Sequence, residues 1–328
     1  MLNLLNKEQI IQPRAVSLIP EAKKDPRDYI LSATHPDIEK LGMVVTPDGQ
    51  WMDSVTEFEL QRNNIFDQYA CVTHTGWNGT QCLAKRKYNA VLDKSKRYTA
   101  VKSGTIPRRG NSVTNVVESI RNDGGVEESD YPTTVDGMTE AEFYKKITPE
   151  IDQKENFRPF WLFNHAWVDG NSPEMIMAAL RVSPIMVSVC GNYNFDQNGY
   201  IAQDRSGFIT HEVLIVGYEL NKYWIVLDSE NQNGFVRFAW DYVFTAPKAL
   251  YLTKKNFMQI YRIKGRSAMY FLNPEGKVVV PFTDGVIAGG SLFKIFFGDY
   301  KNVSANLQLV EREELLPYPI APYSFTTI

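Results

Sequence analysis

The chain has 328 residues, of which 44% are hydrophobic and 22% are charged, and its formal net charge is -3. This composition excludes an intrinsically disordered chain, which would have fewer aromatic residues and more net charge. The charge argues against nucleic-acid binding, which requires a basic face. Because no apolar run is long enough to span a bilayer and no signal peptide is recognisable, we expect no membrane partner and a location in a cytoplasm.

The cysteines indicate which chemistry the chain can support. There are three, Cys71, Cys82 and Cys190, and an odd, small number does not form a disulfide framework. It fits a reducing compartment, where a thiol stays free. No two cysteines have metal-ligand spacing, so we predict neither a structural zinc nor another cofactor. Cys82 and Cys190 are predicted to be packed core residues.

Helices are predicted first along the chain, and strands after them. Residues 1–50, rich in proline, aspartate and lysine, predict an extended lead-in rather than a helical domain. Apolar residues at helical spacing predict helices over residues 71–90, 111–122, 139–147 and 172–180. Apolar runs bounded by turn signals predict strands at residues 185–189, 212–218, 222–227 and 235–240. This order predicts an α+β fold with helices and strands in separate layers.

A boundary is expected near residues 246–258. Beyond it, short strand-like runs at residues 259–263, 268–272 and 277–281 are separated by turn signals. Residues 255–328 are too few to bury much core alone, so they predict a small β-rich C-terminal module docked on a main domain of residues 51–250.

Three residues have the placement that thiol acyl transfer requires. That chemistry needs a thiolate, a base that moves its proton, and donors for the oxyanion. Cys71 lies where a loop meets the first predicted helix, and a helix N-terminus favours the thiolate. His211 stands at the mouth of a predicted strand, and Asp228 ends the next strand, from which it can orient the imidazole. The alternative is that each of them merely packs in the core.

Four segments, in this order, resemble those of papain-like cysteine peptidases. Residues 71–74, Cys-Val-Thr-His, resemble the helix start that carries the nucleophile. Residues 183–189 resemble the strand before the catalytic histidine. Residues 210–218 resemble the family's Asn-His-Ala…Val-Gly-Tyr segment, and residues 223–229 resemble its Tyr-Trp…Lys-Asn-Ser segment. The likeness covers residues 55–245 and is nearest to divergent members from bacteriophage and bacterial genomes. It implies a two-lobed fold, with a helical lobe and an antiparallel β lobe.

The resemblance implies a role for each candidate residue. Cys71 would be the nucleophile, His211 its base, and Asp228 the orienting residue, where the family usually has asparagine. The tryptophan that usually shields this pair is missing, since Ser229 is followed by Glu230.

The oxyanion glutamine is the main departure from the family pattern. It normally lies six residues before the cysteine, whereas here Gln61 lies ten residues before Cys71 and Gln68 three before. We favour Gln61, because lengthening a loop costs little. If Gln68 is aligned without a gap, His74 takes the nucleophile's position and the protein would be a pseudoenzyme.

Substrate binding and the remaining histidines are interpreted from their positions. Gly110 and Asn111 match the family's loop beside the cleft, where a glycine backbone pairs with extended peptide. The alternative is a plain turn and helix cap. The lead-in is shorter than the family's usual inhibitory prosegment, so it is expected either to wrap the domain or to cross the cleft. His35 and His165 are interpreted as structural or surface residues.

The sequence therefore predicts a cysteine peptidase that hydrolyses peptide or isopeptide bonds of a protein substrate through an acyl-enzyme on Cys71. One alternative is a catalytically silent papain-like protein with a structural or binding role, for example a virion component with the C-terminal module as its assembly surface. Another is a related thiol amidase that acts on cell-wall peptides. The expected location is a bacterial host cytoplasm or a virion.

Overall fold

A computed structural model describes residues 18–19, 30–31, 44–56, 58–62, 65–168, 171–203 and 209–254, and four strands between residues 259 and 309. The chain divides into two compact units, Met1–Lys254 and Lys255–Ile328. Most of the predicted lead-in, including His35, lies outside the described residues. None of the described helices is long and apolar enough to cross a membrane.

The helices predicted from apolar spacing are present in the first unit. The described helices are α1 (Cys71–Tyr88), α2 (Lys96–Lys102), α3 (Val113–Asn122), α4 (Glu140–Phe143), α5 (Pro149–Asp152) and α6 (Pro173–Leu180), with one 3₁₀ turn at Met52–Ser54. The hydroxyls of Ser112 and Ser172 accept the backbone N–H groups of Asn115 and Met175 and so cap α3 and α6. The sequence did not predict α2 or α5, and the helix predicted over residues 139–147 is limited to Glu140–Phe143.

The strands of the first unit form one sheet. They are β1 (Ile30–Leu31), β2 (Trp161–Val168), β3 (Ile185–Cys190), β4 (Asn194–Phe195), β5 (Ile201–Ala202), β6 (Ile209–Glu219), β7 (Tyr223–Leu227), β8 (Phe235–Ala239) and β9 (Thr245–Lys254). Their order across the described sheet is β1-β2-β9-β3-β6-β7-β8-β5-β4. All neighbours are antiparallel except β1 with β2 and β5 with β8.

Helix α1 runs through the core between this sheet and α3. Every residue from Cys71 to Ala84 is buried, whereas a surface helix would bury one face only. Close approach to the sheet depends on Gly79, where a Cβ atom would lie 2.6 Å from Leu250 Cδ1 on β9. The α+β class is thus confirmed, with the thiol at the start of its central helix.

The sequence analysis missed five strands of this sheet: the two-residue strands β1, β4 and β5, and the longer strands β2 and β9. β2 lies among the helices in sequence. Its Leu162 is apolar but exposed, so the sequence does not show the alternation of apolar and polar residues that indicates a strand. β9 runs across the predicted boundary region, where Lys248 and Pro247 obscure the buried strand around Leu250. The strand places the end of the first unit at Lys254.

The second unit contains a separate antiparallel sheet. Its described strands are β10 (Gln259–Ile263), β11 (Met269–Leu272), β12 (Val278–Phe282) and β13 (Leu307–Leu309), in the order β12-β11-β10-β13. The predicted β-rich character of the C-terminal region is therefore confirmed. The turns predicted between these strands lie outside the described residues.

Candidate active site

The thiol of Cys71 lies at the N-terminus of α1. The residue before it, Ala70, caps the helix without a side-chain hydrogen bond, so no N-cap side chain takes the first N–H groups. Tyr69 has a φ of 49°, a left-handed conformation that residues other than glycine rarely adopt. Its N–H donates to Asp67 Oδ1 at 2.8 Å, which fixes the sharp turn that leads the chain into the helix.

The imidazole of His211 is held from the opposite side by a carboxylate. His211 is on β6, paired with Val189 of β3, and its Nε2 lies 2.8 Å from Asp228 Oδ1. Both side chains are 0% exposed. Asp228 follows β7 directly and accepts two further bonds, from the Tyr193 hydroxyl at 2.8 Å and from the backbone N–H of Glu230 at 3.0 Å. The carboxylate is therefore fixed by three donors.

The electrostatics of this pair favour the imidazolium. Burial alone would lower the pKa of His211, but the Asp228 carboxylate raises its pKa well above the usual 6.5, by charge and by hydrogen bonding. The nearby Cys71 thiol and the charge of Glu230 raise the pKa of His211 further. The structure thus brings Cys71, His211 and Asp228 together.

The side chain of Gln61 lies against the turn that follows Asp228. Its Oε1 accepts the Ser229 hydroxyl at 3.0 Å, and its Nε2 lies 2.8 Å from Glu230 Oε1 and 3.3 Å from Asp67 Oδ1. Its backbone N–H also donates to the Ser229 carbonyl at 3.0 Å. Gln61 is therefore bonded to the residues beside Asp228, although it lies ten residues before the cysteine in sequence.

The second glutamine bonds to the helix instead. Gln68 Oε1 lies 2.8 Å from His74 Nε2, and Gln68 Nε2 has no hydrogen-bond partner among the described residues. His74 is fully buried one turn after Cys71, and burial, reinforced by the charge of Lys96, lowers its pKa to about 3. A histidine held neutral in the core is a packing group, whereas it is Cys71 that contacts His211.

The predicted substrate loop pairs with a piece of the lead-in. Ile19 N–H donates to the Asn111 carbonyl at 2.9 Å, and Leu18 N–H donates to the Thr210 carbonyl at 3.1 Å, next to His211. Leu18 is 1% exposed. The side chain of Asn111 is bonded within its own loop, to Ser103 and Thr105 among others, so the loop offers its backbone rather than that amide. Gly110 has a φ of 76°, which requires glycine there.

The other candidate residues are buried within the core. His165 Nε2 lies 2.7 Å from Glu118 Oε1, while burial and the nearby Lys248 lower the pKa of His165. Cys82 and Cys190 are buried thiols outside any disulfide, and burial raises the pKa of the Cys82 thiol to about 12. These residues are structural.

Three carboxylates outside the triad also lie together. Ligand atoms of Glu59, Asp93 and Glu128 are within 4.8 Å of one another in the described part of the chain. The ammonium of Lys96, which is 1% exposed, lies 3.0 Å from Glu59 Oε2 and supplies a positive charge to the cluster. We interpret it as a salt-bridged structural cluster.

Two residues of the site were missed by the sequence analysis. Asp67 organises the turn before Cys71, since it bonds the Tyr69 N–H and the Arg62 guanidinium, at 2.8 Å in both cases. Its position four residues before the cysteine was the available signal. Tyr193, which binds Asp228, follows β3 in an irregular segment, where sequence spacing predicts no partner.

The fold is similar to that of solved cysteine proteases. Xylellain, a cysteine protease from Xylella fastidiosa, is 15% identical over 73% of this chain and 98% of its own, with a TM-score of 0.54. The cysteine protease and lectin-like domains of a surface layer associated protein of Clostridium difficile are 15% identical over 67% of this chain and 55% of theirs, with a TM-score of 0.50. The bromelain protease from Ananas comosus is 22% identical over 63% of this chain and 98% of its own, with a TM-score of 0.48.

No protein-family model matches the chain, and no curated protein sequence matches it. The likeness at these identities is one of fold. The chain has the papain-like peptidase fold that the sequence resemblance implied, with a β-rich C-terminal region in addition.

Proposed function

We propose that the protein is a cysteine peptidase that hydrolyses peptide or isopeptide bonds through an acyl-enzyme on Cys71. One observation carries this proposal: a thiol at a helix N-terminus is close enough to His211 to raise its pKa, and Nε2 of that imidazole lies 2.8 Å from the buried Asp228 carboxylate. A raised pKa at His211 and a helix N-terminus both favour an imidazolium–thiolate pair. Solved proteases of the same fold are consistent with a peptide or protein substrate.

The reaction follows from the positions of these groups. The Cys71 thiolate attacks the carbonyl carbon, a C–S bond forms, and the carbonyl oxygen becomes an oxyanion. As the intermediate collapses, the C–N bond breaks and the leaving amine takes a proton from His211. The neutral imidazole then takes a proton from water, which attacks the thioester, and the thiolate leaves as the acid forms. Asp228 keeps the ring oriented throughout.

The oxyanion requires donors that are already in place. The backbone N–H of Cys71 is one candidate, because it lies in the uncapped first turn of α1. The Nε2 group of Gln61 is the second, since its amide is anchored beside the Asp228 turn. Peptide binding would use the backbone of Asn111 and the Thr210 carbonyl, the groups that now pair with Leu18 and Ile19.

Alkylation by iodoacetamide near neutral pH tests the activated thiol. We expect Cys71 to react faster than free cysteine, and Cys71→Ala to abolish both this labelling and the hydrolysis of fluorogenic peptides. Because Leu18 is buried and bonds the Thr210 carbonyl next to His211, the rate is measured in the wild type and in Leu18→Asp. Peptide mapping should show Cys82 and Cys190 unlabelled, as internal controls. A Cys71 rate no faster than free cysteine in both proteins contradicts the proposal.

A comparison of two histidine variants decides between the two alignments of the helix start. His211→Ala should abolish rapid alkylation, because it removes the base that contacts the thiol. His74→Ala, a matched change of a second fully buried histidine, should retain it in the molecules that remain folded. The reverse result would contradict the assignment of His211 as the base of Cys71, whereas slow alkylation already in the wild type would fit the alignment in which His74 occupies the nucleophile's position.

A silent papain-like protein is the second candidate function. The observation that favours it is the burial of both Cys71 and His211, each 0% exposed. If Cys71→Ala changes neither alkylation nor any proteolytic step, a structural or binding role follows. The role of the C-terminal strands in assembly stays a prediction. A reducing compartment is consistent with three cysteines that form no disulfide.

A further inference from the structure

Glu230 occupies the position where related proteases usually have a shielding tryptophan, and it joins two parts of the site. Its Oε1 accepts a hydrogen bond from Gln61 Nε2 at 2.8 Å. Its backbone N–H donates to Asp228 Oδ1 at 3.0 Å, the same oxygen that holds His211. One residue therefore contacts both the triad carboxylate and the candidate oxyanion donor.

The turn that carries Glu230 is itself fixed. Asp228 N–H donates to the Gly234 carbonyl at 2.7 Å, and Asn231 N–H donates to the Asp228 carbonyl at 3.1 Å. The neighbouring Ser229 hydroxyl bonds Gln61 Oε1 at 3.0 Å. Because Ser229 donates to the oxygen and Glu230 accepts from the nitrogen, the two consecutive residues define the orientation of the Gln61 amide.

The two contacts of Gln61 Nε2 differ in length. The bond to Glu230 is 2.8 Å and charge-assisted, whereas the contact with Asp67 Oδ1 is 3.3 Å, beyond the usual range for such bonds. The amide has two hydrogens, so the one directed to Asp67 can be given up to an incoming oxyanion while the other stays on Glu230. The bond to Glu230 therefore fixes the amide in place, as a preorganised oxyanion donor requires, and only the longer contact with Asp67 has to be exchanged.

We propose that Glu230 is a positioning residue for hydrolysis: its carboxylate holds the Gln61 amide ready for the oxyanion and places a negative charge beside the imidazolium of His211. This inference rests on the proposed peptidase function. The charged and titratable groups that act on His211 are Asp228, Glu230 and the Cys71 thiol. Where the family pattern has a tryptophan ring, this protein thus has a carboxylate that bonds Gln61 Nε2 directly.

The test compares Glu230→Ala with Glu230→Gln in the full chain, using fluorogenic peptide–coumarin amides. Glu230→Ala should lower kcat by up to about 100-fold, the loss produced when an oxyanion donor is removed. Glu230→Gln should restore most of this, because its amide oxygen can accept the same bond. Near neutral pH, Glu230→Ala combined with Gln61→Ala should be no slower than Gln61→Ala alone, since the effect of Glu230 on kcat passes through Gln61 and its charge effect on His211 is read from the pH profile. Exposed Glu150→Gln serves as the charge control.

A second readout, the pH dependence of Cys71 alkylation, does not require turnover. The negative charge of Glu230 raises the pKa of His211. Both Glu230 variants should therefore move the alkaline limb of the alkylation profile, the change in rate as His211 loses its proton, to lower pH. The inference is overturned if Glu230→Ala keeps the wild-type kcat. It is also overturned if the loss of kcat in the double variant is the product of the losses in Glu230→Ala and Gln61→Ala. A third contrary outcome is a loss of kcat in Gln68→Ala that Gln61→Ala does not show.

The two proposals fail in distinguishable ways. If the wild type alkylates no faster than free cysteine and hydrolyses no peptide, the peptidase function fails. If the wild type hydrolyses peptides but the Glu230 variants match it, only the positioning role fails. If the wild type alkylates rapidly without measurable hydrolysis, an unchanged alkaline limb in Glu230→Gln overturns the role and a shifted limb supports it.

Discussion

At the scale of single residues, the aspartate beside His211 determines the charge state of the site. An asparagine can orient the ring by accepting a hydrogen bond, but a carboxylate also stabilises the imidazolium. In this protein Asp228 raises the pKa of His211 well above 6.5 although burial opposes it. The imidazolium is therefore retained through neutral pH, where it can stabilise the thiolate of Cys71.

Asp228→Asn should move the alkaline limb of Cys71 alkylation to lower pH, because the pKa of His211 falls when the carboxylate charge is removed. Asp228→Asn should also lower the free energy of unfolding, and this loss should depend on pH. A raised folded pKa stabilises the protein fully below 6.5, and this contribution is lost as the pH rises through the folded pKa. Urea unfolding should thus show a loss of about 3 kcal/mol near pH 6 and a smaller loss at alkaline pH. Equal losses at both pH values would contradict this interpretation.

The sequence was sufficient to place Cys71, His211 and Asp228 in the fold, but not to predict the contacts around them. Cys71, His211 and Asp228 each lie at the end or edge of a periodic element, so local pattern predicts where they stand. The bond between Gln61 and Glu230 joins residues 169 positions apart, and only the paired strands bring them together. Local spacing carries no information on such a distance.

At the scale of elements, the position of α1 depends on one tryptophan. Trp77 Nε1–H donates to Thr99 Oγ1 of α2 at 2.8 Å, and its ring meets Phe157 edge-on with centroids 5.1 Å apart. Gly125 lies against the same ring. The helix that carries Cys71 is therefore fixed by a hydrogen bond, an aromatic contact and a glycine that leaves room for both.

Gly125→Ala should destabilise the protein by about 1–3 kcal/mol, the usual cost of overpacking a core. The new Cβ atom would lie 2.7 Å from Trp77 Cζ2, and the buried ring has nowhere to move. The control is Gly76→Ala within α1, whose Cβ atom would have its nearest contact with the Ile120 Cδ1 methyl group, at 3.1 Å. Urea denaturation compares them, and a Gly125→Ala protein as stable as the control would refute the packing argument.

The elements missed from the sequence share a physical cause. β9 contains a run of buried residues that includes Leu250. The same run includes Lys248, a charged residue that is nevertheless 0% exposed. Its ammonium lies 3.7 Å from the centroid of the Trp167 ring on β2, a cation–π contact that permits burial. Apolar periodicity cannot anticipate a buried lysine, because its partner comes from another strand.

At the scale of the whole molecule, a short piece of the lead-in is bonded next to His211, to the backbone of Thr210 and Asn111. Leu18 is 1% exposed and bonds the Thr210 carbonyl, while the bridge between Leu18 and Asn111 is parallel. These are the backbone groups that we propose for peptide binding. The lead-in and a substrate would then compete for the same surface.

Leu18→Asp should accelerate alkylation of Cys71, because a buried carboxylate disfavours the covered state. Burial of a leucine contributes about 1.5–3 kcal/mol, so the open population should rise roughly 10- to 100-fold. Iodoacetamide kinetics at neutral pH give the ratio directly. The exposed Leu220→Asp is the matched control and should leave the rate unchanged. An unchanged rate in Leu18→Asp would show that the segment does not limit access.

The place of β9 in the sheet has a consequence for the order in which the protein becomes competent during synthesis. β9 lies between β2 and β3, although it leaves the ribosome after both of them. Until Lys254 has been made, β3 lacks one neighbour, and the strand that bears His211 pairs with an incomplete sheet. Such non-local pairing forms late. The nascent chain therefore lacks the complete sheet behind His211 until β9 has been made.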